Sequence, residues 1–109
     1  MIDLHLHTTA SDGTDTPAEL VRVCRDTGIT TMAVTDHDTT AALMESAREA
    51  ERAGIAFVPG IEITAAWEGT DVHILGYFID REAPVLVAFL EAQIKDRIRR
   101  AKAVGERLV

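Results

Sequence analysis

The sequence predicts an α/β fold, namely the N-terminal portion of a (β/α) barrel. Short β-branched runs alternate with amphipathic helical segments, which is the order of a parallel sheet with crossover helices. Residues that bind metals follow several predicted strands, and barrel active sites are built at the carboxyl ends of strands. A closed barrel takes about 250 residues, so a chain of 109 residues is expected to form only its first part.

Charge is unevenly distributed along the chain, whose net charge is −7. Residues 1–80 contain 4 basic and 14 acidic residues, whereas residues 81–109 contain 7 basic and 4 acidic ones. The acidic part suits a site for several cations. The basic part either attracts a phosphate-bearing substrate or forms a solvated helix face. Five of its cations cluster in the middle of the predicted helix, namely Lys95, Arg97, Arg99, Arg100 and Lys102.

Composition favours a single soluble globular domain, with 47% apolar and 27% charged residues. No apolar run approaches the roughly 20 residues of a membrane span, and the N-terminus lacks the pattern of a signal peptide. We therefore expect a cytoplasmic protein with no membrane partner. Cys24 is the one cysteine, and its helical context predicts a small buried residue rather than a nucleophile.

The first predicted element is a strand over residues 2–7 that carries two histidines. Because alternate side chains share a face, Asp3, His5 and His7 are expected on one side of the strand. The Cα atoms of the two histidines would lie about 6.5 to 7 Å apart, so their imidazoles can converge on one ion. Alone, such a pair is equally compatible with an exposed face or a hydrogen-bonded core pair. The opposite face of the strand is expected to pack into the protein interior, and it carries Ile2, Leu4 and Leu6.

A polar loop over residues 8–16 follows and delivers Asp12 just beyond the end of this strand. Asp12 is a candidate metal ligand, although an aspartate before a glycine such as Gly13 is also common in turns. A helix is predicted over residues 17–27. Its start and stop signals are Thr16, Pro17, Glu19 and Gly28.

The second predicted strand is short, buried and covers residues 29–34. It leads directly into the polar segment Asp36-His37-Asp38. This segment therefore joins the first strand as a source of candidate ligands at a strand end.

A second helix is predicted over residues 40–53, followed by a strand over residues 55–58. Pro59 and Gly60 are expected to break that strand. The side chains expected on the inward face of the helix are Leu43, Met44 and Ala47.

Glu62 follows among apolar residues, where an unpaired carboxylate would be costly, so a metal ion is its best partner. Residues 61–67 and 71–78 are expected to form a strand pair around a turn at residues 68–70. His73 lies in the second of these strands. A lone histidine there is usually a satisfied core residue, but other candidate ligands at strand ends favour a metal ligand.

One long amphipathic helix is predicted beyond Pro84, and it reaches Val109 without a stop signal. We therefore expect the chain to be cut within this helix. Its apolar stripe consists of Leu86, Phe89, Leu90, Ile94, Ile98, Ala101 and Leu108.

The candidate ligands together predict a metallohydrolase. Imidazole nitrogens and carboxylate oxygens bind Zn²⁺, Mn²⁺ or Fe²⁺ in hydrolytic sites, where bound water becomes a nucleophile near neutral pH. The candidate metal ligands are His5, His7, Asp12, His37, Glu62 and His73.

In order and context, these segments resemble the PHP domain, named for polymerase and histidinol phosphatase. The resemblance covers residues 1–80, and residues 81–109 resemble the start of a helical insertion. It implies a distorted seven-stranded (β/α) barrel that holds up to three divalent metals and hydrolyses phosphate esters. The segments that carry it are Asp3-Leu4-His5-Leu6-His7, Ser11-Asp12-Gly13, Thr35-Asp36-His37, Gly60-Ile61-Glu62 and Asp71-Val72-His73-Ile74-Leu75-Gly76.

The resemblance also implies a role for each candidate residue. Asp36 would orient an imidazole from behind the ligands. A metal-bridged hydroxide would attack phosphorus, with Glu62, His37 and Asp12 as the catalytic residues. The three metals would be held by His5 with His7, by Glu62 with His73, and by Asp12 with His37, and Glu62 would bridge the first two.

The ligands that the family carries on later strands, a histidine and an Asp-x-His pair, have no counterpart after His73. We therefore expect incomplete metal binding and weak or absent catalysis in this chain alone. The start of the chain and Leu75-Gly76-Tyr77 resemble stand-alone bacterial members that act on nucleotide 3′,5′-bisphosphates or trim RNA from its 5′ end. Recognition of a DNA sequence is not expected, and the oligomeric state is open.

Two alternative functions remain at this point. Amidohydrolase barrels also open with His-x-His, but they usually add a bridging lysine from a later strand, whereas Lys95 and Lys102 lie in the basic helix. The other alternative is a non-catalytic, polymerase-associated module whose metal site stabilises the fold. Bound metal without turnover would favour that module.

Overall fold

The computed structural model describes residues 1–107 of the chain. In chain order the elements are β1 (Ile2–Leu6), α1 (Pro17–Asp26), β2 (Thr31–Val34), α2 (Leu43–Arg52), β3 (Ala56–Trp67), β4 (Thr70–Tyr77) and α3 (Pro84–Arg107). The predicted α/β fold is confirmed. Two compact units are present, one over Met1–Ile79 and one that begins at Asp80. The assignment of residues 81–109 to a helical insertion stays a prediction.

The first unit contains one four-stranded sheet in the order β1-β2-β3-β4. The pairs β1–β2 and β2–β3 are parallel, and β3–β4 is antiparallel. Because parallel strands point the same way, the carboxyl ends of β1 and β2 lie at the same edge of the sheet. The residues that follow these two strands therefore meet beside the middle of β3.

β3 is one continuous strand of 12 residues, so the predicted break at Pro59 and Gly60 is wrong. The strand instead changes partner there: Pro59 is the last residue paired with β2, and Gly60 is the first paired with β4. A Cβ at Gly60 would lie 2.8 Å from the Thr35 methyl carbon and 3.1 Å from the Val34 carbonyl oxygen. Glycine is therefore required at Gly60, where the backbone of the neighbouring strand leaves no room for a Cβ.

α1 and α2 bury their apolar faces in one hydrophobic core. α1 begins as predicted, since Thr16 Oγ1 accepts a hydrogen bond from the Glu19 amide at 3.3 Å and a proline occupies the first turn. Cys24 is 1% exposed, which confirms its predicted burial. Burial and the negative charge of Asp3 raise the pKa of its thiol, which suits a packing residue. The core consists of Leu20, Val21, Cys24, Met32, Val34, Leu43, Ala50 and Ile55.

Three predicted core positions are wrong. Met44 is 53% exposed, because α2 begins at Leu43 and its buried positions continue from there in steps of three and four to Ser46 and Ala50. Ile2 and Leu4 are 64% and 38% exposed. β1 is an edge strand of the described sheet, and only its last residue packs against the core.

α3 spans 24 residues and exposes most of its described side chains. Arg99 and Arg100 both contact the Asp96 carboxylate, as expected for a solvated helix face. Leu108 of the predicted stripe and Val109 lie outside the described residues. Within residues 1–107, no helix combines the length and apolar character needed to span a membrane.

Candidate metal centre

The end of β1 presents two imidazoles to one carboxylate oxygen. His5 lies in β1, and His7 follows the strand directly. His5 Nε2 lies 2.8 Å from Glu62 Oε1, and His7 Nε2 lies 3.3 Å from the same oxygen. The two rings meet edge to face with their centroids 5.1 Å apart. The two histidines of β1 therefore converge on Glu62.

The loop after β1 is folded around the buried carboxylate of Asp36. Asp36 Oδ1 accepts hydrogen bonds from the Thr8 amide at 2.7 Å and from Ser11 Oγ at 2.8 Å. Asp36 Oδ2 accepts one from Thr8 Oγ1 at 2.7 Å. The prediction that Asp36 orients an imidazole is therefore wrong. Thr8 is fully buried, and its backbone N–H requires an acceptor that Asp36 supplies.

The same loop holds Asp12 beside two imidazoles. Asp12 Oδ2 lies 3.1 Å from His37 Nε2, and Asp12 Oδ1 lies 3.5 Å from His7 Nδ1. The next residue, Gly13, lies against the His7 carbonyl so closely that a Cβ would collide with it, and its amide donates to the Thr8 carbonyl at 2.9 Å. Glycine therefore lets the loop fold back and bring Asp12 to the end of β1.

His37 is placed beside Glu62 by backbone pairing. The Glu62 amide donates to the Asp36 carbonyl at 3.0 Å, and the Asp38 amide donates to the Glu62 carbonyl at 2.9 Å. These two bonds form an isolated parallel bridge between His37 and Glu62. Asp38 adopts a positive φ of 53°, and its carboxylate accepts a hydrogen bond from the Thr64 amide at 2.9 Å. The segment after β2 is thus attached to β3 on both sides of His37.

β4 contributes the fourth imidazole. His73 pairs with Thr64 in the antiparallel register, and Leu75 pairs with Glu62. Directly opposed residues and residues two apart share a face of the sheet, so His73 lies on the same face as Glu62. His73 Nδ1 lies 3.4 Å from Glu62 Oε2 and 3.5 Å from Thr64 Oγ1.

Glu62 is the electrostatic centre of this cluster and is only 6% exposed. Burial by itself raises the pKa of its carboxyl. The hydrogen bond from His5 and the charges of His37, His5 and His7 outweigh burial and hold the pKa below its ordinary value. The cluster therefore favours the ionised carboxylate, the form that binds a cation.

The donor set fits divalent cations. Three overlapping groups bring their ligand atoms within 4.8 Å of one another. His7 Nδ1 is buried and makes no hydrogen bond among residues 1–107, and Asp12 Oδ1 lies 3.5 Å away, so a cation bound between them would satisfy both atoms. All six predicted ligands lie in this cluster, and their binding of metal stays a prediction. The three overlapping ligand groups are His5-His7-Glu62, His7-Asp12-His37 and His37-Glu62-His73.

Two named relatives resemble the chain over nearly its whole length. It is 45% identical over 108 residues to the 5′-3′ exoribonuclease Rnm of Escherichia coli strain K12, a match that covers 97% of this chain and 37% of the relative. It is 40% identical over 107 residues to a 3′,5′-nucleoside bisphosphate phosphatase of Chromobacterium violaceum, covering 98% and 38%. The chain thus spans less than two fifths of the length of either relative.

Solved structures and a family profile agree with these matches. An amidohydrolase from Chromobacterium violaceum, solved with sulfate and no metal, superposes with a TM-score of 0.88 at 40% identity, covering 96% of this chain and 37% of that one. A protein from Bifidobacterium adolescentis assigned as a metal-dependent phosphoesterase gives a TM-score of 0.88 at 38% identity, covering 98% and 37%. The profile of the PHP domain matches residues 3–104. The chain belongs to the PHP domain family.

Proposed function

We propose that this chain forms the six-ligand part of the metal centre of a phosphoesterase. The observation that carries the proposal is the set of imidazoles around one carboxylate. Ring nitrogens of all four histidines lie between 2.8 and 3.8 Å from Glu62 oxygens. Four imidazoles around one buried carboxylate are typical of a site in which cations lie between these ligands.

Glu62 is arranged to serve two cations at once. Its Oε1 faces His5 and His7, whereas its Oε2 faces His37 and His73. Each oxygen therefore belongs to a separate ligand group, which supports a bridging role. Asp12 supports a third position with His7 and His37.

The centre suits hydrolysis because the bound cations would supply Lewis acidity, which activates water and neutralises a phosphoryl group. The protein's part is to hold the donors and keep Glu62 ionised. Half of the His5 and His73 side-chain surface is exposed, at 52% and 50%, so a substrate can reach the cluster. Zn²⁺, Mn²⁺ and Fe²⁺ all accept this mixture of nitrogen and oxygen donors.

The proposed substrate is a phosphate ester at an RNA 5′ end or in a nucleoside 3′,5′-bisphosphate. The two relatives named for these activities support it, since both align with almost the entire chain.

The test measures metal content and phosphate release with Mn²⁺ or Zn²⁺ present, for this chain and for the full product of its gene. The substrates are p-nitrophenyl phosphate, adenosine 3′,5′-bisphosphate and 5′-phosphorylated RNA. We expect Glu62→Gln to lose the two cations that Glu62 would bridge and to abolish turnover. The matched control is Glu45→Gln, which removes an exposed carboxylate of α2. Turnover in the full gene product alone would mean that residues outside this sequence complete the centre.

Amide hydrolysis is the second candidate, favoured by the structural neighbour that is an amidohydrolase. An N-acyl amino acid panel measured beside the phosphate esters separates the two chemistries. Cleavage of amides without release of phosphate would replace the phosphoesterase proposal. Bound metal without any turnover in the full gene product would instead favour a non-catalytic module.

A further inference from the structure

β1 contains an irregularity next to His5. Asp3 pairs with Met32 and Leu6 pairs with Val34, so three steps along β1 match two steps along β2. One extra residue is therefore inserted in β1, as in a β-bulge. Bulges remove backbone groups from the strand ladder and redirect side chains, and these groups need other partners.

Side chains hold both polar groups of the Leu4–His5 peptide. The His5 amide donates to Asp3 Oδ1 at 3.1 Å. The Tyr77 hydroxyl donates to the Leu4 carbonyl at 2.7 Å. This peptide is thus clamped at its nitrogen and at its oxygen, immediately before the Cα atom that carries the His5 imidazole.

Tyr77 reaches this peptide from the strand at the opposite edge of the sheet. It lies in β4, and the strand order places β2 and β3 between β4 and β1. Tyr77 pairs with Gly60 and therefore shares the sheet face of Glu62 and His73. Its hydrogen bond joins the strand of His73 to the strand of His5 across the face that carries the cluster.

We infer that Tyr77 and Asp3 are positioning residues that set the direction of His5 toward Glu62 by fixing the Leu4–His5 peptide. The inference rests on the proposed function, in which His5 is a metal ligand. The 2.8 Å contact between His5 Nε2 and Glu62 Oε1 is the geometry that the clamp maintains. Groups that orient a ligand in this way typically change metal affinity by about 10- to 100-fold when removed.

The first experiment compares Tyr77→Phe with Thr30→Val in this chain. Each removes one hydroxyl that donates to a backbone carbonyl near β1, because Thr30 Oγ1 donates to the Met1 carbonyl at 3.2 Å. Zn²⁺ affinity is measured by calorimetry. The four imidazoles are followed by long-range ¹H–¹⁵N correlation in the metal-free protein. We expect Tyr77→Phe to bind Zn²⁺ about tenfold more weakly and to shift the His5 resonances, and Thr30→Val to change neither.

Wild-type affinity and unchanged His5 resonances in Tyr77→Phe would overturn the inference. If neither the wild-type chain nor the full gene product binds Zn²⁺, the proposed function fails. The metal-free His5 resonances then decide the positioning role by themselves, and unchanged resonances would overturn it.

A second pair of variants serves if Tyr77→Phe does not fold. Asp3→Asn retains a side-chain oxygen for the His5 amide, whereas Asp3→Ala removes it. We expect Asp3→Asn to retain the wild-type Zn²⁺ affinity and the wild-type His5 resonances. Asp3→Ala should bind Zn²⁺ more weakly and shift the His5 resonances. Identical behaviour of the two variants would overturn the role of the clamp.

Discussion

His37 and Glu62 face each other across an isolated parallel bridge, and Glu62 makes one backbone hydrogen bond on each side of His37. The bridge fixes His37 Nδ1 3.8 Å from Glu62 Oε2. A residue that follows β2 and a residue of β3 thus owe their proximity to backbone pairing. The metal centre is therefore part of the sheet and depends on how β2 and β3 meet.

Glu62 should make the stability of the metal-free chain pH-dependent. Its folded pKa lies below the ordinary value of 4.5, so the unfolded state binds its proton more readily. The ionised Glu62 carboxylate therefore contributes to the free energy of unfolding. This contribution is fully present above pH 4.5 and is lost as the pH falls through the lowered pKa of the folded state. Urea unfolding between pH 3 and pH 7 in EDTA measures it. Glu62→Gln should flatten this dependence, and an identical slope in both proteins would contradict the assignment.

Asp36→Ala should destabilise the chain strongly. It removes three hydrogen bonds from a residue that is 2% exposed and leaves the buried Thr8 amide without its acceptor. We expect a loss of about 3 kcal/mol in the free energy of unfolding. The control is Asp26→Ala, which removes an exposed ion pair with Arg25 and should cost less than about 0.5 kcal/mol. Equal values for the two variants in urea titrations would refute this role of Asp36.

Gly60→Ala should also be destabilising, because the new Cβ would lie 3.1 Å from the carbonyl oxygens of Val34 and Gly76. These atoms belong to backbone and cannot yield easily, so we expect a cost of about 1–3 kcal/mol. Gly105→Ala is the matched control, since a Cβ there has no neighbour within 4 Å. In a helix this change should stabilise by up to about 1 kcal/mol. Thermal unfolding that ranks the two variants in the opposite order would contradict the close approach at Gly60.

Asp12→Asn should lower the metal content by one ion per chain while the others remain. Asp12 belongs to one ligand group only, with His7 and His37, and its side chain is 64% exposed. Asp15→Asn, in the same loop, should leave the content unchanged. Elemental analysis after dialysis against Zn²⁺ distinguishes the two, and a full complement in Asp12→Asn would exclude Asp12 as a ligand.

Local patterns were sufficient to predict the alternation of strands and helices as far as the start of β3, the start of α1, the β3–β4 hairpin and the burial of Cys24. These features depend on periodicity, capping and turn chemistry, which neighbouring residues determine. Candidate ligands could be chosen for a similar reason, because metal-binding residue types at strand ends are visible in the chain. Nothing local indicated Tyr77, whose partner Leu4 lies 73 residues away.

Tertiary contacts decided the features that the sequence pattern or the family resemblance predicted wrongly. Asp36 binds Thr8 and Ser11, 28 and 25 residues away, because the loop after β1 buries an amide that needs an acceptor. β3 continues through Pro59 because it changes partner from β2 to β4 at that point. Partner choice and burial arise only when distant segments pack together. The sequence alone therefore determined which donors are present and in what order, and the folded sheet decided which atoms face one another.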